Sequence, residues 1–284
     1  YSRVGGITDF RSIRFARMYL KEFTQNTIMR FASLDLVRSD WRRYKLALDD
    51  EANNDNDNTD FSVGIIGLLE NDGNYVSPPG VEREQLNNNN TIVRQNEQSL
   101  VVNACELESQ DSRAVFKNIS VDMRQFKKLR MFIHAEDGIN QEFEQGDLVG
   151  FIRMGNDFTQ NYYQIEVPLL PSDLADGSIE EQIWPDVNEI NIPLEILQQI
   201  KSKGIFDQSL SNEDATFYDV ISGQLNEVAV PEFSPLPTGQ QRVAIKGNPN
   251  FGDIRVLMVG IKNSGSTGMN SCGEVWFNEL RMSE

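Results

Sequence analysis

The side chains able to do chemistry are few for a chain of 284 residues: one histidine, His134, and two cysteines, Cys105 and Cys272. Nucleophilic hydrolysis needs a nucleophile beside a base, most often histidine. His134 sits mid-strand, outside any GxSxG or Cys–His context, and reads as a structural or surface residue. One histidine and two distant cysteines do not make a tetrahedral zinc site. Calcium is the cation the sequence does suggest. The run Asp55-Asn-Asp-Asn-Thr-Asp60 offers Asp55, Asp57 and Asp60 as hard oxygen ligands at close spacing. It lacks the glycine and the bidentate glutamate of an EF-hand loop, and it also reads as a solvated acidic linker. Two pairs of acids, Glu136-Asp137 and Glu180-Glu181, are adjacent in sequence. Neighbours on a strand point to opposite faces, which does not suit a pair of carboxylates flanking a glycosidic bond. We read no enzyme here.

Sugar binding is the best small-ligand idea. Tyr162, Gln164, Arg153 and Asn156 would line one face of a sheet, with the tyrosine ring stacking on sugar C–H groups. The plainer reading of the same residues is ordinary cross-strand pairing. The glycine-dense run Ser264-Gly-Ser-Thr-Gly268 lacks the lysine and the following helix of a phosphate loop and reads as a turn. Cys105 and Cys272 each lie beside a candidate strand. They either form a disulfide in an oxidising compartment or stand as two buried thiols.

The elements that must position these residues are mostly strands. Candidates run over 99–105, 129–135, 147–153, 162–168, 216–221, 242–246, 254–261 and 274–281, and before them 61–69 opens apolar structure with a first short strand. In the second, Leu129, Met131, Ile133 and Ala135 alternate with Arg130, Phe132 and His134. In the fourth, Tyr163, Ile165 and Val167 share one face and Tyr162, Gln164 and Glu166 the other. Turn chemistry over 155–161 makes a hairpin of the third and fourth. One helix is marked by Pro193 at its first position, Leu194, Leu197 and Ile200 on one face, and Gly204 as a cap. About eight short strands with one peripheral helix predict a mostly β chain, a jelly-roll-like β-sandwich.

The two ends of the chain say nearly the same thing. Phe10, Ile13 and Arg14 align with Phe251, Ile254 and Arg255. After a three-residue gap, Asp35, Leu36 and Ser39 align with Glu279, Leu280 and Ser283. Self-similarity of this kind marks a tandem array. The expected organisation is therefore the C-terminal hairpin of a preceding, incomplete sandwich unit over 1–48, an acidic and Asn-rich linker and excursion over 49–98, and a complete sandwich over 99–284. A chain so organised reads as a piece of a longer protein.

With 43 acidic against 26 basic residues the net charge is −17, which repels phosphate backbones and anionic lipid. Nucleic acid is excluded as a partner. No apolar run is long enough for a transmembrane helix.

Longer phrases carry a family resemblance. Val121-Asp-Met-Arg-Gln-Phe-Lys-Lys-Leu-Arg-Met-Phe-Ile-His-Ala-Glu136, the stretch Asp147 to Glu166, Ile183-Trp-Pro185, Asn188-Glu-Ile-Asn-Ile-Pro-Leu194, Lys246-Gly-Asn-Pro-Asn250 and Cys272-Gly-Glu-Val-Trp-Phe-Asn-Glu-Leu-Arg281 resemble the SprA (Sov) family of cell-surface gliding-motility proteins. The resemblance covers residues 100–284 and, less densely, 1–48. It implies a soluble segment of the large outer-membrane β-barrel translocon of the type IX secretion system, without catalytic residues. It also implies partners: the rest of the barrel, an outer-membrane shuttle barrel, a plug protein and secreted cargo. The implied location is the cell envelope, on the periplasmic or cell-surface side of the outer membrane. Such a segment would cap or brace the pore and dock partners; the alternative from the residues alone is a carbohydrate-binding jelly-roll module.

Overall fold

Alternation of apolar and polar side chains sets which face of each strand is buried, and two sheets bury those faces against each other. The computed structural model describes residues 41–45, 48, 58–68, 75–81, 85–88, 91–94, 96–138, 141–172, 179–229, 236–265 and 267–284. The strands are β1 (Arg42–Arg43), β2 (Asp60–Gly67), β3 (Gln85–Asn88), β4 (Thr91–Arg94), β5 (Gln98–Leu107), β6 (Ser112–Val121), β7 (Lys128–Asp137), β8 (Leu148–Gly155), β9 (Tyr162–Pro168), β10 (Ile190–Pro193), β11 (Thr216–Ile221), β12 (Gln224–Val228), β13 (Gln241–Lys246), β14 (Ile254–Asn263) and β15 (Ser271–Ser283). The helices are α1 (Glu180–Ile183) and α2 (Glu195–Phe206).

The larger sheet has the order β1-β6-β14-β8-β9-β13-β11-β12 and the smaller β10-β7-β15-β5-β2, while β3 and β4 form a separate ribbon. All pairings within the two sheets are antiparallel. Among the described strands the chain crosses between sheets at β1–β2, β5–β6, β6–β7, β7–β8, β9–β10, β10–β11 and β14–β15, the repeated exchange between layers of a jelly-roll sandwich. The core fills the gap between the sheets. Leu129, Met131, Ile133 and Ala135 of β7 face Ile152 and Met154 of β8 and Tyr163, Ile165 and Val167 of β9, all at most 2% exposed. The expected β8–β9 hairpin forms, with Arg153 opposite Gln164 and Gly155 opposite Tyr162.

Some details differ from the sequence reading; Pro193, for one, closes β10 and does not open α2, whose N-cap is Leu194. The pair 254–261 and 274–281 is not a hairpin within one sheet: β14 lies between β6 and β8 in the larger sheet, and β15 between β7 and β5 in the smaller. It is an arch joining the two layers, and both of its strands are central. Gly204 does not cap α2. The helix runs on to Phe206 with Asp207 at its C-cap, and Gly204 is small because Leu210 packs on it; a Cβ there would lie 2.5 Å from Leu210 Cδ2. The sandwich also draws on residues before 99, since β2 pairs with β5 along its whole length. The first copy of the self-similar segment, in 1–48, lies outside the described residues apart from 41–45 and 48. Among the described residues no helix is long and apolar enough to cross a membrane.

Candidate functional site

The polar side chains of β8, β9, β11 and β13 converge on the outer face of the larger sheet. Strand register puts Arg153 beside Gln164, Glu166 beside Arg242, and Arg242 beside Asp219. Hydrogen bonds run along this row. Arg153 Nε donates to Gln164 Oε1 at 2.6 Å, and Gln164 Nε2 donates to Glu166 Oε1 at 2.6 Å. Arg242 Nε donates to Asp219 Oδ1 at 2.6 Å. The Arg153 guanidinium lies 4.0 Å over the Tyr162 ring and donates through Nη1 to the Phe158 carbonyl at 2.7 Å. Buried charges of this kind persist because each has a partner.

Three of the four residues singled out for sugar binding are thus brought together, but not as an open platform. Arg153, Tyr162 and Gln164 are each 5 or 6% exposed, and one face of the Tyr162 ring is taken by the guanidinium. Asn156 stands apart. Its Nδ2 donates to the Asp253 carbonyl at 2.9 Å and its Oδ1 accepts from Asn250 N at 2.7 Å, so it ties two turns together.

A second polar cluster lies on the outer face of the smaller sheet, under two segments that cross it. Tyr75, Phe132, Ile183, Trp184 and Trp276 form a small aromatic core there. His134 sits beneath it, wholly buried, its ring 4.2 Å from that of Trp276. His134 Nδ1 lies 2.7 Å from the Ile183 carbonyl and 2.9 Å from Ser172 Oγ; Nε2 lies 2.9 Å from Glu136 Oε1. A serine, a histidine and a glutamate in line carry the elements of a hydrolytic relay. However, the Ser172 hydroxyl is engaged with Ala135 O at 3.2 Å, the imidazole is closed off, and catalytic roles need access and geometry together. The grouping holds the loop at 172 and the end of α1 onto the sheet. Beside it, Asn278 Nδ2 donates to Tyr75 Oη at 2.7 Å and Glu97 Oε1 at 2.5 Å, and Tyr75 Oη donates to Glu97 Oε1 at 2.6 Å. Burial and the Glu97 carboxylate push the Tyr75 phenol well above the tyrosine range.

Of the suggested calcium ligands, Asp55 and Asp57 lie outside the described residues, and Asp60 opens β2 opposite Cys105. Among the described residues no group of three His, Cys, Asp or Glu side chains is placed to hold a metal. Cys105 and Cys272 are joined as a disulfide with Cα atoms 4.0 Å apart, at the bulge where β15 shifts register against β5. Sequence reasoning missed Glu97, Ser99 and Asn278. Glu97 and Ser99 lie where the Asn-rich excursion meets β5, and Asn278 lies on a strand with no clean alternation.

The family model SprA_N, described as a motility related/secretion protein, matches residues 1–284. No curated protein is similar in sequence. Solved structures that resemble the fold include the family 11 carbohydrate-binding module from Clostridium thermocellum in complex with a beta-1,3-1,4-mixed-linked tetrasaccharide, at 9% identity over 86% of this chain and 88% of that one, TM-score 0.39. A carbohydrate-binding module studied for specific mannan recognition matches at 10% identity over 65% of this chain and 72% of that one, TM-score 0.26. Identities this low carry no ligand from those proteins to this chain.

Proposed function

Because this chain belongs to the SprA_N family of motility related/secretion proteins, we propose that it is a non-enzymatic structural and docking segment of the type IX secretion translocon at the outer membrane. There it caps or braces the pore and binds other components of the machine: the barrel itself, the shuttle barrel, the plug protein or passing cargo. The location proposed is the cell envelope, where the Cys105–Cys272 disulfide is at home in an oxidising compartment.

The observation that carries this reading is the closure of both outer faces. The row of Arg153, Gln164, Glu166 and Arg242 is spent on internal hydrogen bonds and is at most 6% exposed. The Tyr162 ring, the one that would stack on a sugar, is 6% exposed and lies under the Arg153 guanidinium, and the rings of Trp184 and Trp276 on the smaller sheet are 1 and 2% exposed. A sandwich closed in this way offers its edges and loops to partners. The carbohydrate-binding alternative needs Tyr162 free on an open face. A glycan array on this chain decides between them: a blank array is expected, and a hit that disappears in Tyr162→Ala would replace the docking role with sugar binding.

A further inference from the structure

The atoms around the His134 ring call for one proton more than a neutral imidazole carries. Nδ1 lies 2.7 Å from the Ile183 carbonyl. A carbonyl only accepts, so the hydrogen of that contact sits on Nδ1. Nε2 lies 2.9 Å from Glu136 Oε1, and a carboxylate likewise only accepts. A neutral ring with its hydrogen on Nδ1 would set two acceptors face to face at that distance. Ser172 does not change the count, because its hydroxyl, 2.9 Å from Nδ1, has the Ala135 carbonyl at 3.2 Å to donate to. A second proton between Nε2 and Oε1 satisfies every atom. The positive ring then lies within cation–π range of Trp276, 4.2 Å away, and of Trp184, 5.7 Å away.

We propose that the His134–Glu136 pair with this extra proton is a pH-sensitive latch. It fastens the end of α1 and the loop at 172 to the outer face of the smaller sheet, and it loosens when the proton leaves. Glu136 is the way out for the proton: its side chain is 29% exposed, whereas that of His134 is fully buried. Departure removes a charge-assisted hydrogen bond and leaves Nε2 and Oε1 as facing acceptors. Opening relieves them, since a wetted imidazole takes its hydrogen bonds from water. The latch is thus closed on the acid side of the step and loosened on the alkaline side. Among the described residues the surrounding charges are mostly negative. Glu274 of β15 lies opposite Glu136 and is engaged by Trp276 Nε1 at 2.8 Å and Asn103 Nδ2 at 3.3 Å. On β7, Asp137 Oδ1 accepts from Phe143 N at 3.0 Å. Glu180 and Glu181 of α1 are exposed, and Glu97 is held by Tyr75 and Asn278. Of the charged groups on these elements only Arg130 is a cation near the ring's strand neighbours, and its Nη2 is spent on Glu189 Oε2 at 2.9 Å.

A chain with one histidine lets the latch be watched directly. Long-range 1H–15N spectra of the 15N-labelled chain, titrated from acid to alkaline pH, report the protons on both ring nitrogens. Hydrogen–deuterium exchange, corrected for its intrinsic pH dependence, reports the Trp184 amide, which donates to the Glu180 carbonyl at 2.8 Å. Both nitrogens are expected to be protonated while the latch is closed, and Trp184 exchange should quicken at least about tenfold once one proton has left. Glu136→Gln offers Nε2 an amide N–H in place of a carboxylate, so its ring should carry a single proton and its exchange step should vanish. A ring with one protonated nitrogen throughout the folded range overturns the proposal. So does a proton loss that leaves Trp184 exchange unchanged, or the same exchange step in Glu136→Gln. Circular dichroism checks the fold of the variant, and if it does not fold, the two measurements on the unchanged chain decide.

Discussion

Trp184 Nε1 donates to the carbonyl of Val76 at 2.8 Å, across 108 residues of sequence. The bond joins the two segments that cover the smaller sheet: the stretch around Tyr75 to Val81, and the end of α1. Beneath it the rings of Trp184 and Trp276 meet at 6.3 Å, and His134 holds the Ile183 carbonyl from below. The outer face of a five-stranded sheet thereby acquires a core of its own.

That cover should be measurable residue by residue. Trp184→Phe keeps a ring and loses the hydrogen bond, and should cost about 1 kcal/mol. Trp184→Ala also leaves a cavity and should cost about 3–5 kcal/mol. Urea unfolding followed by far-UV circular dichroism checks both. Equal costs would mean that the ring does not fill the space the structure gives it.

Two buried tyrosines should answer oppositely to loss of their hydroxyls. Tyr75 Oη bonds to Glu97, Ser99 and Asn278, and Tyr75→Phe strips a buried carboxylate of a donor, for a loss of about 1–3 kcal/mol. Tyr163 Oη is buried in the main core with no hydrogen-bond partner among the described residues. Tyr163→Phe should therefore leave stability unchanged or raise it by up to about 1 kcal/mol. A loss for Tyr163→Phe as large as for Tyr75→Phe would contradict the packing of the main core.

The same two phenols set an alkaline limit. Burial raises both above the tyrosine range, with Glu97 adding to the effect at Tyr75. In the unfolded chain each ionises near pH 10, so the folded state binds the phenolic protons more tightly. That contribution is present in full below about pH 10 and is lost as pH rises above it toward the folded values. Denaturation midpoints should hold to about pH 9 and then fall, more gently in a chain carrying both Tyr75→Phe and Tyr163→Phe. Phenolate absorbance from all seven tyrosines before any unfolding would contradict the burial of these two.

The Cys105–Cys272 bond closes a sequence separation of 167 residues between neighbouring central strands. Reduction, or Cys105→Ser with Cys272→Ser, should cost about 2–5 kcal/mol, read as a lower melting temperature in reductant than without it. Two free thiols per chain in protein prepared without reductant would contradict the pairing.

Much of the architecture was legible because burial writes a period into the sequence. In β7 and β9 the inward residues alternate cleanly, and the outward ones, His134 and Gln164 among them, were assigned to the correct face. That the outward face is also buried was not legible, since Tyr75 and Trp184 come from distant segments and no periodicity reports on what covers a sheet. β6 was missed because Lys117 and Asn118 interrupt its apolar side chains, and β12 because Gln-Leu-Asn-Glu-Val shows little of an edge strand beyond its alternation. A Gly/Ser turn between two strands reads alike whether they pair or part, so the sequence does not distinguish the β14–β15 arch from a hairpin. Sequence puts Arg153, Tyr162 and Gln164 on one face of a sheet, and it carries no sign that they engage one another.

The measurement that tests the central claim most directly is a pull-down from outer membranes with this chain as bait and mass spectrometry as readout. The account predicts recovery of secretion-machine components, the barrel, the shuttle barrel or the plug protein, above a bait of unrelated β-sandwich fold. Recovery no greater than that control would contradict a docking segment.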